Sequence, residues 1–201
     1  MQQVTIDELR QLASDARESI WAQAEAYGRE PKIYLHWTAG HYGQYYLNDY
    51  HVAIDYDGKI YVDSPLDEVL AHTWKRNSGG VGITLACCVG ATSANLGDEP
   101  PTQAQIEAMA QAIVAVADGL WLTIDKPHVM THGEAADNED GIEPHEEYGP
   151  KTTVERWDLE YLGTDESPAF EPWATDGSRG GDVLRGKAQW YRNLWNGNSE
   201  K

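Results

Sequence analysis

The run Val81–Val89 (VGITLACCV) carries no charged residue, and it restricts the fold more than any other stretch of the chain. A strand of that kind needs cover on both faces, which is the situation of a parallel strand in a sheet lined by helices. It is far shorter than the ~20 apolar residues that cross a membrane. Lys32–Trp37, Tyr50–Tyr56, Lys59–Val62 and Val129–Thr131 read as further strands, and Asp57-Gly58 is a hairpin turn between the second and third of these. Thr5 and Glu8 form a capping box before Ile6, Leu9, Leu12, Ala13, Ala16 and Ile20 at helical spacing, and Gly28 stops that helix. Thr102 and Gln105 open a second helix running to about Asp118, and Val183–Trp195 has the spacing of a third. The order predicts an α/β fold, a mixed central β-sheet flanked by helices. These elements give one domain over 1–162. A Gly/Pro/Asp/Ser-rich connector and the last helix, 163–201, are expected to pack on it.

Charge narrows the partners. With 15 Lys+Arg against 33 Asp+Glu, the net charge is −18, and the chain repels phosphate backbones. Nucleic acid is therefore excluded as a partner, and membrane insertion is excluded because no stretch approaches the ~18 apolar residues of a span. The start, MQQVTIDELR, lacks the basic-then-apolar order of a secretion signal, which leads to an expectation of cytoplasmic synthesis. The two cysteines, Cys87 and Cys88, are neighbours; side chains adjacent in a strand point to opposite faces, so both are read as reduced core residues. The aromatic set is 8 Trp, 11 Tyr and one Phe. Rings with a polar handle suit half-wet grooves that stack on sugars, and equally the edge of a core.

Two of the 7 histidines stand where chemistry is usually placed. His36 ends the apolar strand Ile33-Tyr34-Leu35-His36, and His132 follows Val129-Met130-Thr131 in the same way. Ligands of α/β sheets gather at strand ends. Two histidines from neighbouring strands can chelate Zn²⁺, and a catalytic zinc takes a third protein ligand. Spacing alone leaves Asp158, His145, Asp137 and the cysteines open for that place. Asp137-Asn138-Glu139-Asp140-Gly141 lacks the glutamate spacing of an EF-hand and reads as a solvated loop.

Five pieces occur in a diagnostic order: Ile33 through Ala39 (IYLHWTA), Tyr50-His51-Val52-Ala53-Ile54 with Asp57-Gly58, Ala71-His72, Asn77 through Ile83, and His132-Gly133-Glu134. Together they resemble the zinc amidase family of phage endolysins, bacterial N-acetylmuramoyl-L-alanine amidases and peptidoglycan recognition proteins. The likeness runs from about Pro31 to Leu162, and Arg156-Trp157-Asp158 is similar to a segment of phage-type members.

The resemblance implies one zinc ion held by His36, His132 and Asp158, and hydrolysis of the amide between N-acetylmuramic acid and L-alanine. It implies catalytic roles for Tyr50, Arg156 and Glu134. His72 and Asn77 would meet substrate, with Trp37, Trp74, Tyr45 and Tyr46 flanking the groove. Some cytosolic relatives carry a catalytic carboxylate in the strand that here reads Val81-Gly82-Ile83-Thr84-Leu85-Ala86, which leaves Tyr50 and Glu134 as proton carriers. The partner implied is peptidoglycan or a muropeptide, met by a monomer. The setting implied is a phage or prophage endolysin acting on the cell wall; a cytoplasmic amidase recycling wall fragments and a muropeptide-binding module without catalysis are the alternatives.

Overall fold

The alternation within β2 (Lys32–Trp37) divides the molecule into two sides. Successive strand residues face opposite ways, and here Ile33, Leu35 and Trp37 join the main hydrophobic core while Tyr34 packs in a separate small cluster with Met130 and Ala135. The computed structural model describes residues 1–46, 48–142, 149–152 and 156–197. Besides β2 the sheet contains β1 (Gln2–Val4), β3 (Val52–Ile54), β4 (Ile60–Val62), β5 (Gly80–Leu85) and β6 (Val129–Thr131), in the order β1-β4-β3-β5-β2-β6. Strand β2 runs parallel to both β5 and β6, and β5 runs parallel to β3. The β3–β4 hairpin and the β1–β4 pair are antiparallel, so the sheet is mixed as the sequence predicts. Gly58, at φ +83°, makes the hairpin turn where Asp57-Gly58 was expected.

Helix α2 (Gln103–Leu120) is buried along most of its length and packs on the face formed by Ile33, Leu35, Val81 and Ile83. Helices α1 (Ile6–Glu25) and α4 (Gly180–Gly197) pack against α2 in turn, and α4 also reaches β6. Both capping boxes foreseen in the sequence are formed, at Thr5/Glu8 and Thr102/Gln105. Close approach of α1 and α2 depends on Gly119, where an added Cβ would stand 2.5 Å from that of Ala13.

Three expectations need correction. Strand β1 was not foreseen, because three residues are too few to display a pattern. Tyr50 precedes β3 rather than opening it, so it is not bound to a strand face. The apolar run after Gly80 stays a strand only to Leu85; Cys88 takes a left-handed conformation (φ +71°), and the two buried thiols lie side by side, Sγ to Sγ 3.4 Å, instead of on opposite faces.

Candidate metal centre

The side of the sheet away from α2 is built around His36, which is fully buried beside Thr84 of β5 in the parallel register. Its Nε2 lies 3.3 Å from the Thr73 hydroxyl, which in turn lies 2.8 Å from His72 Nδ1. His72 fits over the sheet because β5 offers Gly82 beneath it: a Cβ there would stand 2.8 Å from the His72 ring. The turn holding His72 and Thr73 is fixed by Asn77, whose Oδ1 accepts both of their backbone N–H groups (3.2 and 2.8 Å).

His132 opens the short helix α3 (His132–Ala136), which follows β6 directly. Thr131 caps it: the Thr131 hydroxyl accepts from Glu134 N–H and the Glu134 carboxylate accepts from Thr131 N–H. Strand end and capped helix together fix the direction of His132.

Asp158 comes from irregular chain. It lies between Arg156 and Leu159, both left-handed at φ +57° and +60°. Such conformations cost non-glycine residues of order 1–3 kcal/mol and persist where the surroundings over-determine them.

These three side chains converge. His36 Nδ1 is 3.4 Å and His132 Nδ1 3.7 Å from Asp158 Oδ2, and among the described residues they form a group whose ligand atoms all lie within 4.8 Å of one another. Burial lowers the His36 pKa to about 4, so the ring is neutral at pH 7. Burial alone would raise the Asp158 carboxyl, but the facing His132 and His36 rings hold it well below the usual carboxylate range. Neutral imidazole and ionised carboxylate are the forms that bind a metal. His36 Nδ1 and His132 Nε2 are buried without a hydrogen-bond partner in the described protein, an arrangement that otherwise carries a desolvation cost. Two nitrogens and one carboxylate are the donor set of a catalytic zinc, and the residues fit that ion.

The group borders a cleft of about 400 Å³ lined by Trp37, Tyr50, His72, Trp74, Arg156 and Asp158 among others. A larger depression of about 510 Å³ near Met1, Leu12 and Asp63 has no histidine in its lining. Tyr50 stands 5.0 Å from His36, ring to ring; burial, reinforced by Asp158 and Asp49, raises its pKa and keeps the phenol protonated. His72 is buried, and burial together with the neighbouring His36 and His51 pushes its pKa well down. Trp74 is 52% exposed at the rim, and Trp37 is buried against Trp157.

The structure corrects several sequence-based expectations. Glu134 is not a free proton carrier: Arg185 of α4 donates to both of its oxygens (2.8 and 2.9 Å), and the carboxylate is buried behind the site. Burial alone would raise its pKa, but the Arg185 bonds outweigh this and hold it low. Asn77 borders the cleft, yet its carbonyl oxygen is committed to the 72–77 turn. Tyr45 stacks on Tyr61 (4.0 Å), and neither it nor Tyr46 is among the described cleft residues. Of the other candidates for the third ligand place, Asp137 pairs with Lys151 (2.8 Å), both cysteines are buried, and His145 lies outside the described residues. His51 bridges the Gly82 N–H and the Glu68 carbonyl beneath His72. Thr73 and Arg185 were missed. The Thr131-x-x-Glu134 spacing is itself a capping signature, and would have assigned Glu134 to the helix start.

A His/His/Asp group at one side of a mixed sheet, opening on a polar and aromatic cleft, is a candidate metal centre on an α/β domain. The model of the N-acetylmuramoyl-L-alanine amidase family matches residues 21–146, more than half of the chain. The chain belongs to that family, and its function is that of a peptidoglycan amidase. Among solved structures it is similar to the endolysin N-acetylmuramoyl-L-alanine amidase LysCS from Clostridium intestinale URNW (20% identity, 54% of this chain and 72% of that one, TM-score 0.42). It is also similar to PGRP-Hd from Alvinella pompejana (21%, 48% and 70%, TM-score 0.35) and to wild-type PGRP-LB from Drosophila (18%, 57% and 83%, TM-score 0.39). No curated protein matches the chain.

Proposed function

We propose that the chain is a zinc-dependent amidase in which His36, His132 and Asp158 hold one zinc ion beside the scissile amide between N-acetylmuramic acid and L-alanine. The observation that carries this reading is the convergence of those three ligand atoms at the edge of the cleft. A zinc ion there supplies Lewis acidity, which lowers the pKa of a bound water towards ~7 and polarises a carbonyl oxygen. The chain's own residues do the rest. Arg156 is exposed and lines the cleft, and its planar guanidinium can donate two parallel N–H bonds to a developing oxyanion. Tyr50 remains protonated and offers an O–H to the same charge or to the departing amine. Trp74 offers its exposed ring to sugar or stem peptide, Trp37 backs the wall from the core, and His72 closes the inner side. With Glu134 bound to Arg185, the proton transfers of this reaction fall to Tyr50, Arg156-ordered solvent or a carboxylate of the cleft.

In this reading a monomer meets peptidoglycan or a muropeptide, as an endolysin does; the endolysin setting rests on the sequence resemblance. No described helix is long and apolar enough to cross a membrane. The test is metal content. Dialysed wild-type protein should retain about one equivalent of zinc, and Asp158→Ala should lose it while staying folded. A folded wild-type chain that holds no zinc, or an Asp158→Ala variant that holds as much as wild type, overturns the assignment.

A further inference from the structure

The family match ends at residue 146, yet α4, which starts at Gly180, is tied to both ligand segments that lie far from it in sequence. Arg185, buried, donates to Glu134 on α3 and also to the Val129 carbonyl of β6 (3.0 Å), so one guanidinium grips both elements that meet at His132. Arg179, just before the helix, is buried as well. It donates to Glu160, two residues after Asp158, and to both oxygens of Glu139 (3.1 and 3.0 Å). The helix start is pressed onto the same segment. Gly180 N–H donates to the Glu160 carbonyl at 2.9 Å, a Cβ on Gly180 would stand 1.7 Å from the Leu159 carbonyl oxygen, and one on Gly181 would stand 2.4 Å from Glu134 Oε1. Backbone this close to Leu159 tolerates only glycine at the contact.

We infer that α4 is a positioning element of the metal centre: through Arg179, Arg185 and the Gly180-Gly181 contact it sets the separation of His132 and Asp158, and so the metal affinity. This rests on the zinc reading above. Two arguments favour it over simple packing. Buried ion pairs are often no more stabilising than apolar side chains of the same volume, and the role given to the two pairs here is geometric instead. The two buried arginines also fall on the ligand segments, whereas the more exposed cations of the same helix, Lys187 and Arg192, pair with Glu107 and Asp118 of α2. The left-handed Arg156 and Leu159 flank Asp158, and strained chain of that kind needs an outside brace.

The test compares full-length Arg185→Met, Arg179→Met and, as control, Arg192→Met. Zinc affinity is read by chelator competition, the ligand field by the visible absorption of the Co²⁺ form, and folding by thermal melting. The inference expects zinc affinity to fall by about 10- to 100-fold in the first two, with an altered Co²⁺ spectrum, and to stay within about twofold in the control. Should either methionine variant fail to fold, Arg185→Lys and Arg179→Lys, which keep the charge and lose the planar fork, are expected to show the same loss of affinity. Unchanged affinity and spectrum in folded Arg179 and Arg185 variants overturn the inference and leave the zinc reading intact. A wild-type chain that binds no zinc overturns the zinc reading, and this inference with it.

Discussion

His36 and Asp158 face each other across 3.4 Å, but the chain positions them by opposite means. His36 sits on a strand hydrogen-bonded on both sides, in register with β5 and β6, so its direction follows from the pleat. Asp158 sits between two left-handed residues in chain without regular structure, and its surroundings are held by the Arg179 side chain just before α4 and by the Gly180 backbone. A ligand on a sheet is fixed by backbone bonds that almost any sequence makes. A ligand on a loop depends on particular distant side chains. The first kind should resist substitution of its neighbours, and the second should not.

Removing the ligands themselves has the largest expected effect, and it should be blind to this contrast. His36→Ala and His132→Ala are each expected to reduce wall hydrolysis by three orders of magnitude or more while the protein stays folded, on the scale of losing a group that acts only as part of a unit. Hydrolysis assays beside circular dichroism check this. Substantial activity in a folded variant breaks the site assignment on the sheet side.

Tyr50→Phe comes next. It should keep zinc and cut turnover by about one to three orders of magnitude, the range for one hydrogen bond made to charge in the transition state. An unchanged kcat returns Tyr50 to a packing role.

The contrast is sharpened by paired glycine substitutions. Gly82→Ala drives a methyl against the His72 ring on the sheet side, and Gly181→Ala drives one against Glu134 behind α3. Each should cost about 1–3 kcal/mol of unfolding free energy as an overpacked site. They should differ in metal affinity, with Gly181→Ala the weaker binder at equal stability. Denaturant melts with zinc titrations measure both, and equal affinities remove the distinction between the two regions.

The smallest effect is on acid stability. Arg76 is buried and donates to both Asp140 oxygens (2.8 and 2.9 Å), tying the turn of His72 and Thr73 to the segment after α3. Burial alone would raise the Asp140 pKa, but the Arg76 bonds outweigh it and hold it below its ordinary value. A carboxyl lowered in the folded state contributes stability that is complete above its unfolded pKa, near 4, and is lost as pH falls through the folded value. Stability should therefore be level from neutrality to about pH 5 in this respect and decline below about pH 4. Asp140→Asn should lower the plateau and flatten that decline; an unaltered slope would show that the pair does not contribute.

The same contrast explains what was legible in the sequence. His36 and His132 could be read because strand alternation and apolar runs are local signals, and the helices because Thr5, Thr102 and their partners three residues on are local too. Asp158 could be reached only through the resemblance, since nothing in the residues around it has a period. Glu134 was assigned to the wrong task because its direction depends on Arg185, 51 residues away. Tyr45 failed as a groove residue for a similar reason, its stacking partner Tyr61 lying on β4. The arginine anchors of α4 leave no pattern in a helix whose apolar spacing already accounts for its packing.

The central claim is that this cleft cuts the amide between sugar and peptide. The most direct measurement digests purified peptidoglycan with wild-type protein and with Asp158→Ala, and follows new L-alanine amino termini and new reducing sugars together. The account predicts amino termini without reducing sugars from wild type, and neither from the variant. Reducing sugars from wild type, or amino termini released equally by the folded variant, would contradict it.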